Sequence, residues 1–127
     1  MSEFGLPKSS RLHSRKLIEE LFEEGASSFV HPIKVVYKTS LFEDNEPVKA
    51  AFSVSKRNFK HAVDRNRYKR LLREAYRLNC QDLKKKMITQ GSQLSIMFIY
   101  ASKGHNDYAS IEKSMRKILY KLSQCDS

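Results

Sequence analysis

Basic side chains recur once per turn along a stretch of sequence that is expected to be a helix, at about residues 61–78. They follow one another four residues apart, and we call them the arginine ladder: Arg65, Lys69, Arg73 and Arg77. Side chains at this spacing share one face of a helix, where each pair of neighbouring like charges costs about 0.2–0.5 kcal/mol. A ladder that disfavours its own helix is typical of a surface that binds the phosphates of a nucleic acid.

Apolar residues fall on the side of this helix opposite the ladder, and we expect them to enter the core: Tyr68, Leu71, Leu72, Ala75 and Leu78. Asn66 and Arg70 fall beside the ladder. Asn66 has two interpretations, a hydrogen bond to a base edge or ribose 2′-hydroxyl, or an ordinary surface amide. An ordinary solvated face would mix charges of both signs, but only Glu74 offers an obvious local counter-charge.

The excess of positive charge is confined to a quarter of the chain. The 127 residues include 24 Lys and Arg against 14 Asp and Glu, which gives a net charge of +10. Residues 55–86 hold 12 of the basic residues and three acidic ones, whereas the rest of the chain is nearly neutral. Such a local excess indicates a surface for a polyanion, so we expect a nucleic acid as the partner.

Length and composition predict one folded domain over the whole chain, with flexible ends at about 1–10 and 124–127. The longest apolar run, at 96–101, is far shorter than the roughly 20 residues that a membrane-spanning helix needs. The N-terminus lacks the apolar segment of a secretory signal. Cys80 and Cys125 lie far apart, which favours free thiols in a reducing compartment. We therefore expect a cytoplasmic protein that does not contact a membrane.

Hydrophobic periodicity predicts six elements in the order α-β-β-α-β-α. The two strands that flank a polar turn at 42–47 are expected to pair antiparallel. The last strand is apolar on both faces, so it should be central in the sheet. A loop with Gly91 and the run from Lys84 to Lys86 is expected before it. The expected helices lie at 14–24, 61–78 and 107–123, and the expected strands at 29–38, 48–55 and 94–100.

No cluster typical of an enzyme site stands out in the sequence. The histidines have no metal-ligand spacing with each other or with the cysteines: His13, His31, His61 and His105. No glycine-rich phosphate loop occurs. The acidic turn around Asp44 is better interpreted as a solvated turn than as a site for a hydrated cation. We therefore expect no catalytic residue in the protein and no cofactor bound by it.

Two motifs join the second predicted strand to the basic helix. Residues 52–57 read Phe-Ser-Val-Ser-Lys-Arg, and residues 62–74 read Ala-Val-Asp-Arg-Asn-Arg-Tyr-Lys-Arg-Leu-Leu-Arg-Glu. Together they closely resemble the signature of the bacterial ribonuclease P protein subunit, in which a strand ending in Ser-Lys-Lys/Arg leads into a helix that contains Arg-Asn-Arg.

The resemblance extends over most of the chain. It includes Arg11 and Leu12 ahead of the first helix, and Phe22 and Gly25 at the end of that helix. The turn at 58–61 departs from the family pattern, since it lacks the usual glycine and is one residue longer. The entry into the basic helix is therefore expected to differ locally.

The fold that this resemblance implies is an α+β two-layer sandwich in the order α-β-β-β-α-β-α. It is similar to the superfold shared by ribosomal-protein and elongation-factor domains. The third strand, which the periodicity misses, is expected from a split of residues 27–38. The implied β-α-β crossover is left-handed, against the general preference for right-handed connections.

The function that the resemblance implies is that of a protein cofactor of ribonuclease P, the endoribonuclease that removes the 5′ leader of precursor tRNA. Catalysis is expected in the RNA subunit, whose phosphates would bind Mg²⁺. The implied partners are this RNA and precursor tRNA, and neither DNA nor a membrane. The positions expected to bind the RNA subunit are Lys56, Arg57, Lys60, Arg65, Asn66, Arg67, Lys69, Arg70, Arg73 and Arg77.

The resemblance also implies a cleft, between the first helix and one face of the sheet, that holds the single-stranded leader. Aromatic rings suit unpaired bases of any sequence. Phe22 has a second interpretation as a core residue, and Ile18 stands where many relatives carry a further phenylalanine. The positions expected to bind the leader are Phe22, Tyr37, Lys56, Arg57 and Lys103.

Two other classes of protein are weighed against this one. A structural RNA-binding protein, such as a ribosomal protein, shares the implied fold, but the strand end that leads into the Arg-Asn-Arg helix favours ribonuclease P. A helix-turn-helix DNA-binding protein would need a partner helix next to the basic helix, where strands are expected on both sides.

Overall fold

A four-stranded sheet carries helices on both of its faces. The computed structural model describes residues 10–12 and 14–124. The ends expected to be flexible therefore lie outside the described residues, except for Ser10 and Gln124. In chain order the elements are α1 (Arg15–Glu24), β1 (Ala26–Val30), β2 (Ile33–Ser40), β3 (Val48–Val54), α2 (Ala62–Asn79), α3 (Gln81–Gln90), β4 (Gln93–Tyr100) and α4 (Tyr108–Gln124).

The strands are ordered β1-β2-β4-β3 across the sheet. β2 is antiparallel to β1 and to β4, and β3 is parallel to β4. The expected antiparallel pairing of 29–38 with 48–55 is therefore wrong, because β4 lies between these strands. β4 is apolar on both faces, and a central position removes both faces from water. The prediction that this strand is central is confirmed.

The predicted strand at 29–38 is in fact two strands, as the resemblance implies. β1 and β2 meet at a tight turn formed by His31 and Pro32. With this split, the observed order is α-β-β-β-α-β-α with one helix added, α3. Because β3 and β4 are parallel, α2 and α3 form the crossover of a β-α-β unit. The left-handed sense of that β-α-β connection stays a prediction.

A helix, α3, replaces the loop expected ahead of β4. Leu83 and Met87 lie one turn apart and are both buried, a short stripe that the lysine run between them conceals. Gly91 ends the helix with a φ of 70°, a left-handed conformation that favours glycine. Lys86 Nζ donates a 2.7 Å hydrogen bond to the carbonyl oxygen of Leu122 near the end of α4. One lysine of the run thus stabilises the fold.

Two apolar cores occupy the two faces of the sheet. The larger core lies between the sheet and the helices α2, α3 and α4, and it includes Tyr68, Leu72 and Phe98. The smaller core lies under α1 and consists of Leu12, Leu21, Val36 and Met97. The main helical layer of the α+β fold therefore covers one face, while α1 alone covers part of the other.

The prediction of the buried residues of α2 is wrong at one position. Leu78 is 48 % exposed, whereas Tyr76 is fully buried. The ring of Tyr76 packs against the rings of Phe52 and Phe98 on the sheet. The buried stripe of α2 therefore runs through Leu72 and Tyr76, and Leu78 lies outside it.

The helices predicted at 14–24 and 107–123 are confirmed, and each begins at a side chain that caps it. Ser14 Oγ accepts a hydrogen bond from the backbone N–H of Leu17 at 3.2 Å. Asp107 Oδ1 accepts one from the N–H of Ser110 at 2.9 Å. Both bonds satisfy amide groups that have no partner within the helix. In the part of the chain that the structure describes, no helix is long and apolar enough to cross a membrane.

Candidate nucleic-acid interface

The basic residues of α2 lie on the outward side of the helix, as the sequence predicts. Asn66, Arg67 and Arg70 are exposed, and the arginine ladder lies half-exposed beside them. Among residues 10–12 and 14–124, Arg77 is the one predicted RNA-binding residue that forms an ion pair. The other predicted RNA-binding side chains form no ion pair with an acidic residue in those ranges, so no carboxylate there competes with phosphates for them.

The two ends of the ladder already have partners in the protein. Arg65 Nη1 donates to the carbonyl oxygens of Phe59, at 2.9 Å, and Lys60, at 2.7 Å, and so holds the turn before α2. Arg77 donates to both carboxylate oxygens of Glu74, at 2.7 and 3.3 Å. This pairing raises the pKa of Arg77. The two middle members of the ladder make no such bond to any described residue.

Three arginines gather where α2 passes the N-terminal segment. Arg11 forms a β-bridge with Ala50 on the outer side of β3. Burial lowers the pKa of Arg73, and the positive charges of Arg11 and Arg70 lower it further. Like charges held close together destabilise one another, and phosphate oxygens bound between them would relieve the repulsion. The geometry therefore favours an anionic ligand here.

Two segments that are far apart in the sequence bring three basic residues to one end of the sheet. β3 and β4 are parallel, and Val54 lies opposite Tyr100, so the segments that follow the two strands leave the sheet together. Lys56 and Arg57 lie in the first segment and Lys103 in the second. All three side chains are exposed. The parallel pairing thus brings the three basic residues expected near the leader to the same end of the sheet.

An aromatic cluster ties these two segments to α2. Tyr68 Oη and His105 Nδ1 are hydrogen-bonded at 2.6 Å. The ring of Phe59 stacks on Tyr68 at 5.0 Å, and the ring of Tyr100 stacks on it at 4.4 Å between centroids. Burial raises the pKa of Tyr68. The cluster holds the loop that carries Lys103 close to the start of α2.

Phe22 and Tyr37 do not share a face of the sheet. Phe22 is 54 % exposed on α1, so its interpretation as a core residue is wrong. Val36 belongs to the core under α1, whereas Tyr37 packs against the core under α2, α3 and α4. Successive side chains of a strand point to opposite faces. The structure therefore does not bring these two aromatic residues together.

The open part of the α1 face carries an aromatic residue that the sequence analysis missed. Phe29 pairs with Lys34, which pairs with Ile99, so the three form one row across the sheet. Lys34 lies two residues before Val36 and hence on the α1 face. Phe29 is 55 % exposed. The signal that could have found Phe29 is the break between two strands within 27–38, because this break places Phe29 in a strand of its own.

The described residues contain no group of three or more His, Cys, Asp and Glu that could hold a metal ion. Cys80 is buried where α2 meets α3, and burial raises the pKa of its thiol, which keeps it in the unreactive protonated form. His13 and Cys125 lie outside the described residues.

The model of the family described as Ribonuclease P matches residues 6–123 of this sequence. The chain belongs to the ribonuclease P protein family. It is 38 % identical over 120 residues to the Ribonuclease P protein component of Porphyromonas gingivalis (strain ATCC 33277), covering 94 % of this chain and 88 % of that protein. It is 28 % identical over 127 residues to the component of Chlorobium phaeobacteroides, covering 92 % of this chain and 87 % of the relative.

Solved structures of ribonuclease P proteins share the fold. A Staphylococcus aureus RNase P protein mutant with defective mRNA degradation activity matches with a TM-score of 0.69 at 20 % identity, covering 92 % of this chain and 90 % of the mutant. The RNase P protein from Thermotoga maritima matches with a TM-score of 0.65 at 21 % identity, covering 92 % and 98 %. These likenesses confirm the implied fold class.

The chain enters its basic helix through a turn that needs no glycine. The carbonyl oxygen of Ser55 accepts hydrogen bonds from the N–H groups of Asn58 and Phe59, both at 3.2 Å. In the described part of the chain, no residue other than glycine has a positive φ. Phe59 is buried. The turn at 58–61 therefore closes on a buried aromatic ring where the family pattern has a glycine.

Family membership also decides between the classes weighed from the sequence. α3 follows α2 directly after Cys80, so a helix does lie next to the basic helix along the chain. The expectation of a strand on both sides of the basic helix is therefore wrong on its C-terminal side, but a strand, β3, does precede α2, where the first helix of a helix-turn-helix would lie. The match to ribonuclease P over nearly the whole chain separates this protein from that class and from ribosomal proteins.

Proposed function

We propose that this protein binds the catalytic RNA of ribonuclease P and the 5′ leader of precursor tRNA in the cytoplasm, and so promotes removal of the leader. The observation that carries the proposal is the basic surface formed by α2 and by the segments after β3 and β4, most of whose charges have no protein partner among the described residues. The cleavage step and its Mg²⁺ are assigned to the RNA, because the family resemblance implies a cofactor protein.

The RNA subunit would bind along the outward side of α2. The guanidinium groups of Arg67 and Arg70 are exposed and suit two phosphate oxygens at once. The exposed amide of Asn66 suits a ribose 2′-hydroxyl. The N-terminal end of α2 adds a partial positive charge. The preceding turn extends the surface with Lys56, Arg57 and Lys60.

The leader would lie on the α1 face of the sheet, between Phe22 and the row that begins with Phe29. Two exposed rings offer stacking to unpaired bases of any sequence. The exposed side chains of Lys34 and Lys103 would neutralise phosphates beside them. We assign the second aromatic contact to Phe29 in place of Tyr37, whose ring lies on the other face.

Binding of the ribonuclease P RNA transcribed from the same genome tests the RNA-binding part. For four to six phosphate contacts, the logarithm of the wild-type affinity should fall against the logarithm of salt concentration with a slope of roughly −3 to −5. Changing Arg67 and Arg70 to Gln should make this slope shallower by about 2. The same double change at Arg15 and Lys16, exposed on α1, is the matched control. Equal effects of both double variants would show that α2 is not the binding surface.

Cleavage assays test the assignment of the chemistry. The protein alone with Mg²⁺ should cut nothing, and addition of the RNA subunit should give leader removal from precursor tRNA. Leader-specific cleavage by protein rigorously freed of RNA would overturn the assignment to RNA. An RNA subunit whose activity does not respond to the protein at physiological salt would overturn the proposed function.

A further inference from the structure

A second ladder of positive charge lies on the last helix of the protein. Lys113, Lys117 and Lys121 follow one another four residues apart on α4, and we call them the lysine ladder. As in the arginine ladder, neighbouring like charges on one helical face repel each other and disfavour the helix. The net charge does not reveal this ladder, because the basic and acidic residues outside 55–86 nearly balance.

The lysine ladder on α4 is not neutralised by any described residue. The three lysines are exposed, and none has an ion pair with another described residue. The single acidic residue of α4, Glu112, pairs with Arg116 of the same helix at 3.1 Å. Tyr120 is 66 % exposed at the edge of the lysine ladder, where it also lines a hollow with Asn79 of α2 and Asp82 of α3. A single exposed ring is ordinary on a protein surface. Beside three unpaired lysines it adds a group that can stack on a base to a face that suits phosphates.

The lysine ladder lies on the flank of α4 that faces away from α2. Lys121 lines a hollow together with Ser28 of β1 and Val35 of β2. Ser114 Oγ on the same flank donates a 2.6 Å hydrogen bond to the carbonyl oxygen of His31. This flank therefore lies over the β1 edge of the sheet, whereas α2 lies towards β3.

Acidic residues lie between the two ladders, where α2 and α4 pack together. Asn79 Nδ2 of α2 donates to Glu112 Oε2 of α4 at 3.3 Å, and Glu74 lies on the same side of α2, paired with Arg77. Packed helices lie about 8–10 Å apart, so ladders on their outer flanks are separated by roughly 20 Å. One strand of phosphates cannot follow both ladders at once.

We propose that the outer face of α4, formed by the lysine ladder and Tyr120, binds a segment of RNA separate from the segment along α2. The ammonium groups suit phosphates, and the exposed ring suits stacking on an unpaired base. The inference rests on the proposed function for the identity of the RNA. An acidic protein would use the charge but leave the ring unexplained, so RNA is the partner that we assign.

The test compares two triple variants that remove the same amount of charge. The sets are Lys113, Lys117 and Lys121, each changed to Gln, and Arg15, Lys16 and Lys38, three basic residues outside 55–86, each changed to Gln. Both are measured as full chains against the ribonuclease P RNA transcribed from the same genome. The ladder variant is expected to bind about tenfold or more weakly at 0.15 M salt, with a salt slope shallower by about 2 to 3, and the control to bind like the wild type.

Footprinting of the RNA locates the contact. The ladder variant should lose protection of an RNA segment that the wild type protects, and this segment should differ from the one lost when Arg67 and Arg70 are changed to Gln. Tyr120→Ala should weaken binding about fivefold or more, because one stacked base loses its ring. Tyr120→Phe keeps the ring and should restore binding.

The outcomes separate the two proposals. If the ladder variant and the control variant bind equally and leave the same footprint, the inference about α4 is overturned while the proposed function stands on wild-type binding. If the wild-type protein itself does not bind the ribonuclease P RNA, the proposed function fails first. Circular dichroism of each variant confirms that the helices remain folded.

Discussion

Arg65 and Arg70 occupy neighbouring turns of the same basic helix but make different contacts. Arg65 bonds two carbonyl oxygens of the turn before α2, whereas Arg70 is exposed. We predict that Arg65→Ala lowers the free energy of unfolding by about 1–2 kcal/mol, since both carbonyls lose their donor. Arg70→Ala should change it by no more than about 0.5 kcal/mol and still weaken RNA binding. Urea denaturation checks this, and equal stability losses would contradict it.

The aromatic residues considered for the leader site lie on two different faces of the sheet. We predict that Phe22→Ala or Phe29→Ala weakens binding of precursor tRNA to the assembled complex by about 1–3 kcal/mol and leaves binding of mature tRNA unchanged, because only the precursor has unpaired leader bases. Tyr37→Ala is the control, expected to lower protein stability alone, since its ring packs against the main core. A precursor-specific loss for Tyr37→Ala would place the leader on the opposite face.

At the scale of elements, α3 depends on the glycine that ends it. Gly91 has a φ of 70°, and a Cβ there would meet no atom within 4 Å, so its substitution costs only backbone strain. We predict that Gly91→Ala lowers the free energy of unfolding by about 1–2 kcal/mol. Gly104→Ala is the control, since its φ is not left-handed and its Cβ would meet Ser102 at an ordinary 3.9 Å. Equal melting temperatures for the two variants would contradict the prediction.

The helices also show how a pattern of charge can conceal a pattern of burial. Leu83 and Met87 are the two buried residues of α3, and the lysines between them suggest a loop. In α2 the buried stripe passes through Tyr76, a residue that the expected core of this helix does not include. In both cases the tertiary partner decides which residue is buried, because a short apolar stripe is ambiguous by periodicity alone.

At the scale of the whole molecule, α1 is held by the smaller core, whereas β4 lies between both cores. We predict that amide hydrogens of α1 exchange faster than those of β4, because opening α1 exposes less apolar surface than opening the central strand. Leu21→Ala should accelerate exchange in α1 further, since Leu21 is fully buried in that small core. Uniform exchange rates in α1 and β4, measured by mass spectrometry, would contradict this.

Local spacing and motif were enough to predict the family, the basic helix, the first and last helices and the central strand, because these depend on residues close together in the sequence. Only the tertiary structure decided the strand order, since it depends on which strand gains most from burial on both faces. It also decided the faces of Tyr37 and Phe29, because a shift of one residue along a strand moves a side chain to the other side. The meeting of Lys56, Arg57 and Lys103 follows from the parallel pairing of β3 with β4, a long-range choice that no local pattern contains.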